Sequence, residues 1–317
     1  MKTVCVSHVK DVDGLCSAAI VRAATGAEVI LTDYGKVLAA LGTISDEAKR
    51  VIVCDLGTDA GESEEFVARL ASFARRGEAA YLDHHFLPRR VKRSIEGAGV
   101  RLVHDTNECS SVLAFQTFRD VLPAEAERLA IFGAVTDDMD GSPAASRMME
   151  QTDRGFVLLE ATLLSNALSF RGESPGFQKS MVSELAKMKQ PHEIEGVVEY
   201  AVRQLAVSAS LSKEVGRKGK RMGRLAFVET SEYSSGNVAR WLTGTFGVPV
   251  GVAIRKRNGL AEVELRGTSD CRVHLGKTIG PIAFELGGSG GGHRLACGCH
   301  VPEGKEMKML AELSKVV

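Results

Sequence analysis

The sequence is poor in aromatic residues. Its 317 residues include one Trp, four Tyr and twelve Phe, 5% in all. That leaves few platforms on which the bases of a long single strand could stack. No apolar run approaches the ~18 residues that a bilayer crossing requires, so neither a transmembrane helix nor a membrane partner is expected. A secretory pattern is also missing, because Met1–Val6 leads straight into a strand-like run. The seven cysteines (5, 16, 54, 109, 271, 297 and 299) are odd in number and lie mostly in apolar runs. They argue against a disulfide framework and for free thiols in a reducing cytoplasm. Net charge is zero, from 40 Lys+Arg and 40 Asp+Glu, but it is unevenly spread. Residues 1–210 carry 23 basic and 30 acidic side chains, and residues 211–317 carry 17 and 10. An acidic first part favours cations, and a basic second part favours phosphate.

What is present suffices for full folding. Apolar content is 44%, and the length suits one very large domain or two ordinary ones. The first part alternates strand-like and helix-like segments. Strand-like runs are Thr3–Val6, Glu28–Thr32, Val51–Cys54, Ala79–Leu82 and Val100–His104, and helical runs include 15–24, 36–41, 63–76, 109–119 and 124–135. This alternation predicts an α/β fold with a parallel sheet covered by helices on both faces. Residues 153–215 read as largely helical, with Phe156, Leu159, Leu163 and Ala167 forming one stripe.

The polar residues of interest lie where apolar runs end. Tyr81-Leu82-Asp83-His84-His85 closes a short buried strand, and both histidines can serve one site only if the chain leaves the strand there. Asp55 ends another strand. His8, Asp11 and Asp13 sit in the loop after the first one, with Gly14 permitting a sharp bend. That loop also reads as a simple helix N-cap. Asp137, Asp138 and Asp140 follow an apolar helix, an unfavourable place for negative charge unless a cation is near. In an open α/β sheet the carboxyl ends of the strands share one edge, which is where ligands bind. Mixed carboxylate and imidazole donors suit Mn2+, and less well Mg2+ or Zn2+. So many donors exceed the needs of one ion and fit a pair ~4 Å apart.

His8…Asp11-x-Asp13-Gly14, the strand-end Asp55, Asp83-His84-His85 and Thr136-Asp137 together resemble motifs I to IV of the DHH phosphoesterases. That family includes RecJ-type exonucleases, nanoRNA hydrolases, dinucleotide phosphodiesterases and manganese pyrophosphatases. The resemblance implies that Asp11, Asp13, Asp55, His84 and Asp137 bind two Mn2+, or Mg2+, with Asp55 as the bridge. It implies that His85 contacts the phosphoryl group and that Asp83 orients a histidine. Val9 and Lys10 separate His8 from Asp11, where many members have one or three intervening residues, which leaves ligation by His8 open.

The second part carries a basic, glycine-containing stretch at 216–224, which reads as a loop and a domain boundary. A further basic run, Arg89, Arg90, Lys92 and Arg93, follows the DHH motif. Val248–Ile254 and Leu260–Arg266 read as a hairpin turning at Arg257-Asn258-Gly259. The run 287–292, five glycines and a serine before His293, reads as an anion-binding nest of backbone N–H groups. Gly290, Gly291, Gly292 and His293, with Ala296 and Gly298, resemble the glycine-histidine motif of the DHHA1 domain, which grips the substrate nucleotide. Arg266 resembles that domain's phosphate-binding arginine. Cys297-Gly298-Cys299-His300 is too compact to complete a tetrahedral metal site, so packing is expected there.

The expected architecture is therefore an N-terminal parallel-sheet DHH domain (1–190), a helical linker with a basic loop (191–222), and a smaller α/β DHHA1 domain (223–317). The expected activity is metal-dependent hydrolysis of short oligonucleotides or linear dinucleotides to mononucleotides, by water activated at two metals in a cleft between the domains. The additional domains expected of a processive RecJ-type nuclease are not in the chain, which favours short substrates. The alternatives are a phosphohydrolase acting on pAp, polyphosphate or pyrophosphate, a RecJ-like exonuclease, and a non-catalytic nucleic-acid-binding subunit. A homodimer is left open.

Overall fold

The computed structural model describes residues 2–58, 61–230, 235–292 and 294–317. The chain divides into two compact units, Met1–Gln204 and Leu205–Val317. The division falls inside one long helix, within the segment read from sequence as a linker.

The first unit alternates β1 (Thr3–His8), α1 (Val12–Thr25), β2 (Glu28–Thr32), α2 (Val37–Gly42), β3 (Arg50–Cys54), α3 (Ser63–Arg76), β4 (Glu78–Asp83), α4 (Arg89–Gly97) and β5 (Arg101–His104). Helices α5 (Ser110–Phe118), α6 (Glu127–Thr136), α7 (Pro143–Met149), α8 (Arg154–Arg171) and α9 (Pro175–Leu185) follow, and α10 (Val197–Lys218) leads into the second unit. All five strands are parallel, in the order β2-β1-β3-β4-β5. The order reverses between β1 and β3, and a doubly wound sheet opens its ligand crevice at such a point.

Alternation along the strands builds two cores. Cys5, Ile52, Cys54 and Leu82 face α1, α5 and α6. Val4, Val6, Val51, Val53 and Tyr81 face the opposite way, against Phe66, Leu70 and Phe73 of α3. Side chains that alternate between faces while both faces are buried are the mark of a parallel sheet under two helical layers. Each fully buried Val, Ile or Leu contributes about 1.5–3 kcal/mol.

Helix α8 departs from the sequence reading. Phe156 and Leu159 are exposed and Leu163 is half-buried, so of the expected stripe only Ala167 is buried, beside Val157, Ala161, Leu164 and Leu168. The helix carries apolar residues on two sides, and packing on α6 selects the stripe of smaller side chains.

The second unit contains β6 (Lys220–Met222), β7 (Leu225–Glu229), α11 (Ser235–Phe246), β8 (Val250–Arg257), β9 (Leu260–Gly267), α12 (Leu275–Glu285), β10 (Ser289–Gly292), β11 (Ala296–Pro302) and α13 (Glu306–Ser314). They form a mixed six-stranded sheet, β10-β11-β9-β8-β7-β6, in which only β7 and β8 pair in parallel. The β8–β9 hairpin turns at Asn258 and Gly259, both left-handed (φ 53° and 76°), as a primed two-residue turn requires.

Two expectations are corrected here. The basic stretch 216–224 is not a loop: it ends α10 and continues as β6, an edge strand whose register with β7 supplies its hydrogen bonds. The glycine run, read as a nest of backbone N–H groups, is in part an edge strand, because Ser289–Gly292 pairs antiparallel with β11. A glycine of α12 lets that helix lie directly on the strand, since a Cβ on Gly276 would stand 1.9 Å from the Gly292 carbonyl oxygen. Cys297 and Cys299 face the core with Cys271, so packing accounts for them.

Candidate metal centre

Three neighbouring parallel strands, β1, β3 and β4, deliver the motif residues to one edge of the sheet. His8 is the last residue of β1. Asp11 then caps α1, its Oδ1 accepting from Gly14 N at 2.9 Å, and Asp13 lies in the first turn. The capping and clustering readings of this loop therefore both hold. Gly14 is itself helical, so it does not serve a bend. It is needed for close approach, since a Cβ there would stand 2.4 Å from the His8 carbonyl oxygen.

Asp55 follows β3 with a left-handed backbone (φ 55°), a conformation that aspartate tolerates better than most residues. The chain leaves β4 after Asp83, and the His84 and His85 ring centroids come within 4.6 Å of each other. Asp137 arrives from another direction, at the C-terminus of α6, which packs along α1.

These residues form three overlapping groups whose donor atoms lie within 4.8 Å of one another. They are His8, Asp11 and Asp55; Asp13, His84 and Asp137; and Asp55, His84 and His85. Asp55 and His84 are each shared by two groups. Asp55 Oδ1 stands 3.4 Å from His84 Nε2 and Oδ2 stands 3.7 Å from His8 Nδ1, so its two oxygens face opposite ends of the cluster. Asp138 is in none of the three groups, and Asp140 pairs with Arg154.

The electrostatics show what the cluster lacks. Burial alone would lower the His8 pKa, but Asp11, Asp33 and Asp55 raise it to about 12. Burial is likewise outweighed at His84, which Asp55, Asp13 and Asp137 raise to about 10. Burial and the nearby Asp55 charge push Asp13 up to about 6. Asp137 is pushed well up by burial and by its acidic neighbours, while the two imidazoles hold buried Asp55 well below the usual carboxylate range. Protons on imidazole thus serve as the counter-charge to a buried set of carboxylates. Asp55 Oδ2 is buried and makes no hydrogen bond within the protein. A buried carboxylate oxygen without a donor is costly, and a divalent cation among these donors answers it. The residues fit such ions.

Asp83 stands outside the groups. Fully buried, it aligns His85: Oδ1 stands 2.9 Å from His85 Nδ1, and Oδ2 accepts from the Tyr81 hydroxyl at 2.8 Å.

Several residues at the centre escape a motif search. Ser110 and Ser111 donate their backbone N–H groups to Asp13 Oδ2 and Oδ1, at 2.8 and 2.9 Å, from the N-terminus of α5. The Ser110 hydroxyl also reaches Asp55 Oδ1 at 3.1 Å. Asp33 Oδ1 lies 3.4 Å from His8 Nε2. The Tyr34 hydroxyl is 3.0 Å from His85 Nε2, and its ring sits 4.3 Å from that of His8. Asp33 follows the strand-like run that ends at Thr32, the same signal that marks Asp55 and Asp83. Tyr34 and the two serines carry no comparable sequence signal.

In the second unit Arg266 is near the end of β9, where its guanidinium donates to Glu264 Oε2 at 3.1 Å and to the Leu265 carbonyl at 2.9 Å. Gly290, Gly291 and Gly292 lie on edge strand β10, and Ala296 of β11 is in register with Arg266. His293 lies outside the described residues.

Residues 225–317 match the DHHA1 domain family. The whole fold is similar to that of a solved DHH-domain structure, described as a member of the s1p family of ribosomal proteins. The TM-score is 0.73 at 15% identity, covering 99% of this chain and 86% of that one. The second unit carries a DHHA1 domain. The fold is also similar to that of a pGpG-specific phosphodiesterase, PggH, from Vibrio cholerae (TM-score 0.59, 13% identity, 99% of this chain and 98% of that one). RecJ of Thermus thermophilus, solved with Mn2+, aligns with TM-score 0.67 at 19% identity; 99% of this chain covers about half of RecJ, 51%. At such identities the likeness establishes a shared fold. No curated protein sequence matches the chain. No helix among the described residues is long and apolar enough to cross a membrane.

Proposed function

We propose that this chain is a DHH/DHHA1 phosphoesterase, and specifically a divalent-metal-dependent phosphodiesterase that hydrolyses short oligonucleotides or linear dinucleotides to mononucleotides. The observation that carries the proposal is the sharing of Asp55 and His84 between donor groups, which provides for two adjacent cations instead of one. Asp11, Asp13, Asp55, His84 and Asp137 would hold them, with His8 beside Asp11 and Asp55. The mixture of carboxylate and imidazole favours Mn2+, with Mg2+ as the alternative. When bound, such a pair supplies positive charge to the phosphoryl oxygens and lowers the pKa of water towards neutrality.

The chain's own side chains do the rest. Asp83 fixes the Nδ1 side of His85 and so aims Nε2 outward, where a phosphoryl oxygen can replace the Tyr34 hydroxyl as its partner. Ser110 and Ser111 hold the Asp13 carboxylate in one orientation, which keeps a ligand oxygen directed at the centre. In the second unit Arg266 and the glycine strand are proposed to grip the nucleotide phosphate, together with His293. The likeness to PggH, a phosphodiesterase, and to RecJ, an exonuclease, supports the assignment.

The test is hydrolysis, with Mn2+ and with chelator, of labelled RNA and DNA from two to about 24 nucleotides, a range spanning single-site and channel-type binding. pAp and polyphosphate run alongside. Cleavage confined to the shortest nucleotides supports the proposal. Preference for long strands, pAp or polyphosphate overturns the substrate assignment, and no metal-dependent turnover of any of them overturns the activity.

A further inference from the structure

Phe86 directly follows His85 and is 75% exposed. Scattered exposed apolar side chains are ordinary, so its place matters more than its exposure. The described residues include four exposed aromatic side chains: Tyr34, Phe86, Phe156 and Phe284. Two of the four belong to the surroundings of one histidine. Tyr34 touches His85 Nε2, and Phe86 is its neighbour in the chain. In a sequence with so few aromatics, that concentration marks the spot.

The segment bearing Phe86 is fixed on both sides. His104 Nε2 donates to the His85 carbonyl at 2.6 Å, and Leu87 is buried in the core between the sheet and α3. The ring is therefore presented outward from an anchored backbone. Three residues further on, α4 brings cations. Arg90 is held by Glu64, whereas Arg89, Lys92 and Arg93 have no ion-pair partner among the described residues. Spacings of three and four place these three on neighbouring positions of the helix, with Arg89 and Arg93 exposed and Lys92 half-buried at the margin towards Ile95. An outward aromatic face, then unpaired cations, beside a histidine aimed at a phosphoryl group, match the chemistry of a nucleotide: a base to stack and a phosphate to attract.

We infer that Phe86 is the stacking surface for one base flanking the phosphate at His85, with Arg89 and Lys92 drawing in the phosphate beyond it. This rests on the phosphodiesterase proposal and narrows its substrate to one that presents a base on this side of the scissile bond. Polyphosphate does not qualify. Stacking on a phenyl ring discriminates weakly among bases, so specificity of this subsite is for the presence of a base and not its identity.

The experiment compares wild type, Phe86→Ala and Phe86→Trp on three substrates: a dinucleotide with both bases, and the two versions with a single abasic position. Phe86→Ala is expected to raise KM for the complete dinucleotide ~10-fold with kcat little changed, the size of one base–aromatic stack. The penalty should vanish on one abasic substrate and persist on the other, and Phe86→Trp should behave as wild type. An equal penalty on all three substrates, no penalty on any, or failure of Trp to restore KM overturns the stacking role. Wild type inactive on all three overturns the phosphodiesterase proposal itself, and this inference with it. The two failures are therefore distinguishable.

Discussion

Gly133 of α6 lies against Asp13 of α1 so closely that a Cβ at position 133 would stand 2.4 Å from Asp13 Oδ1 and 2.1 Å from Ser111 Oγ. The absent side chain is what admits a carboxylate, and the serine backbone that holds it, between two packed helices. Gly133→Ala is expected to cost about 1–3 kcal/mol by overpacking. Because strain falls on Asp13, it should also weaken Mn2+ binding at least ~10-fold, a change worth about 1.4 kcal/mol. Thermal denaturation and calorimetric titration check the two effects. A stable variant with unchanged Mn2+ affinity would contradict the role given to Asp13.

The Tyr81 hydroxyl bonds both Asp83 Oδ2 and the Leu56 carbonyl, at 2.8 and 2.9 Å, inside the core. Tyr81→Phe leaves these acceptors without their donor and should destabilise the fold by about 1–3 kcal/mol. Since Asp83 orients His85, kcat should fall while Mn2+ stoichiometry stays unchanged. Denaturant melts and steady-state kinetics read these outcomes independently.

Cation binding should release protons. His84 holds its proton up to about pH 10 in the metal-free protein, against 6.5 for an unperturbed imidazole, because its carboxylate neighbours outweigh burial. A cation needs the neutral imidazole. Affinity for Mn2+ should therefore rise as pH rises from 7 towards 10, by up to about tenfold per unit for each proton released, and flatten above. Below about pH 6 the slope should steepen, because Asp13 takes up a proton there. In chelator the same His84 shift stabilises the fold fully below pH 6.5, and that contribution is lost as pH climbs through about 10. Titrations in buffers of different ionisation enthalpy count the protons.

Arg266 donates to Glu264, whose carboxyl burial raises above its ordinary value even though Arg266 lowers it. Arg266→Ala is expected to raise KM for the nucleotide with little change in kcat and none in Mn2+ binding. A loss of Mn2+ binding would show that the substitution acts by disrupting the fold.

Much of this site is legible because strand ends announce themselves. Asp55, Asp83 and His84 each follow a run of buried β-branched or apolar residues, and the parallel topology that such runs imply brings them to one edge without further information. The side-chain partners are harder to read. Ser110 and Ser111 act through backbone N–H groups, which any residue type supplies, so their role depends on where α5 begins. Gly133 sits in a run that is helical with or without it, and only the packing of α6 on α1 shows why it lacks a side chain. The glycine run at 287–292 misleads for the converse reason. Composition suggests a nest of backbone N–H groups, but pairing with β11 makes Ser289–Gly292 a strand. Phe156 and Leu159 mislead similarly, because periodicity locates an apolar stripe but not which of two stripes the core takes.

The central claim is a two-cation centre joined through Asp55, and Mn2+ stoichiometry tests it most directly. Calorimetric titration read together with electron paramagnetic resonance should give two Mn2+ per wild-type chain with spin coupling between them. Asp55→Asn, its fold confirmed by circular dichroism, should lose the coupling, at least one of the ions and the metal-dependent hydrolysis. A single uncoupled ion in the wild type, or two coupled ions retained in Asp55→Asn, would contradict the account.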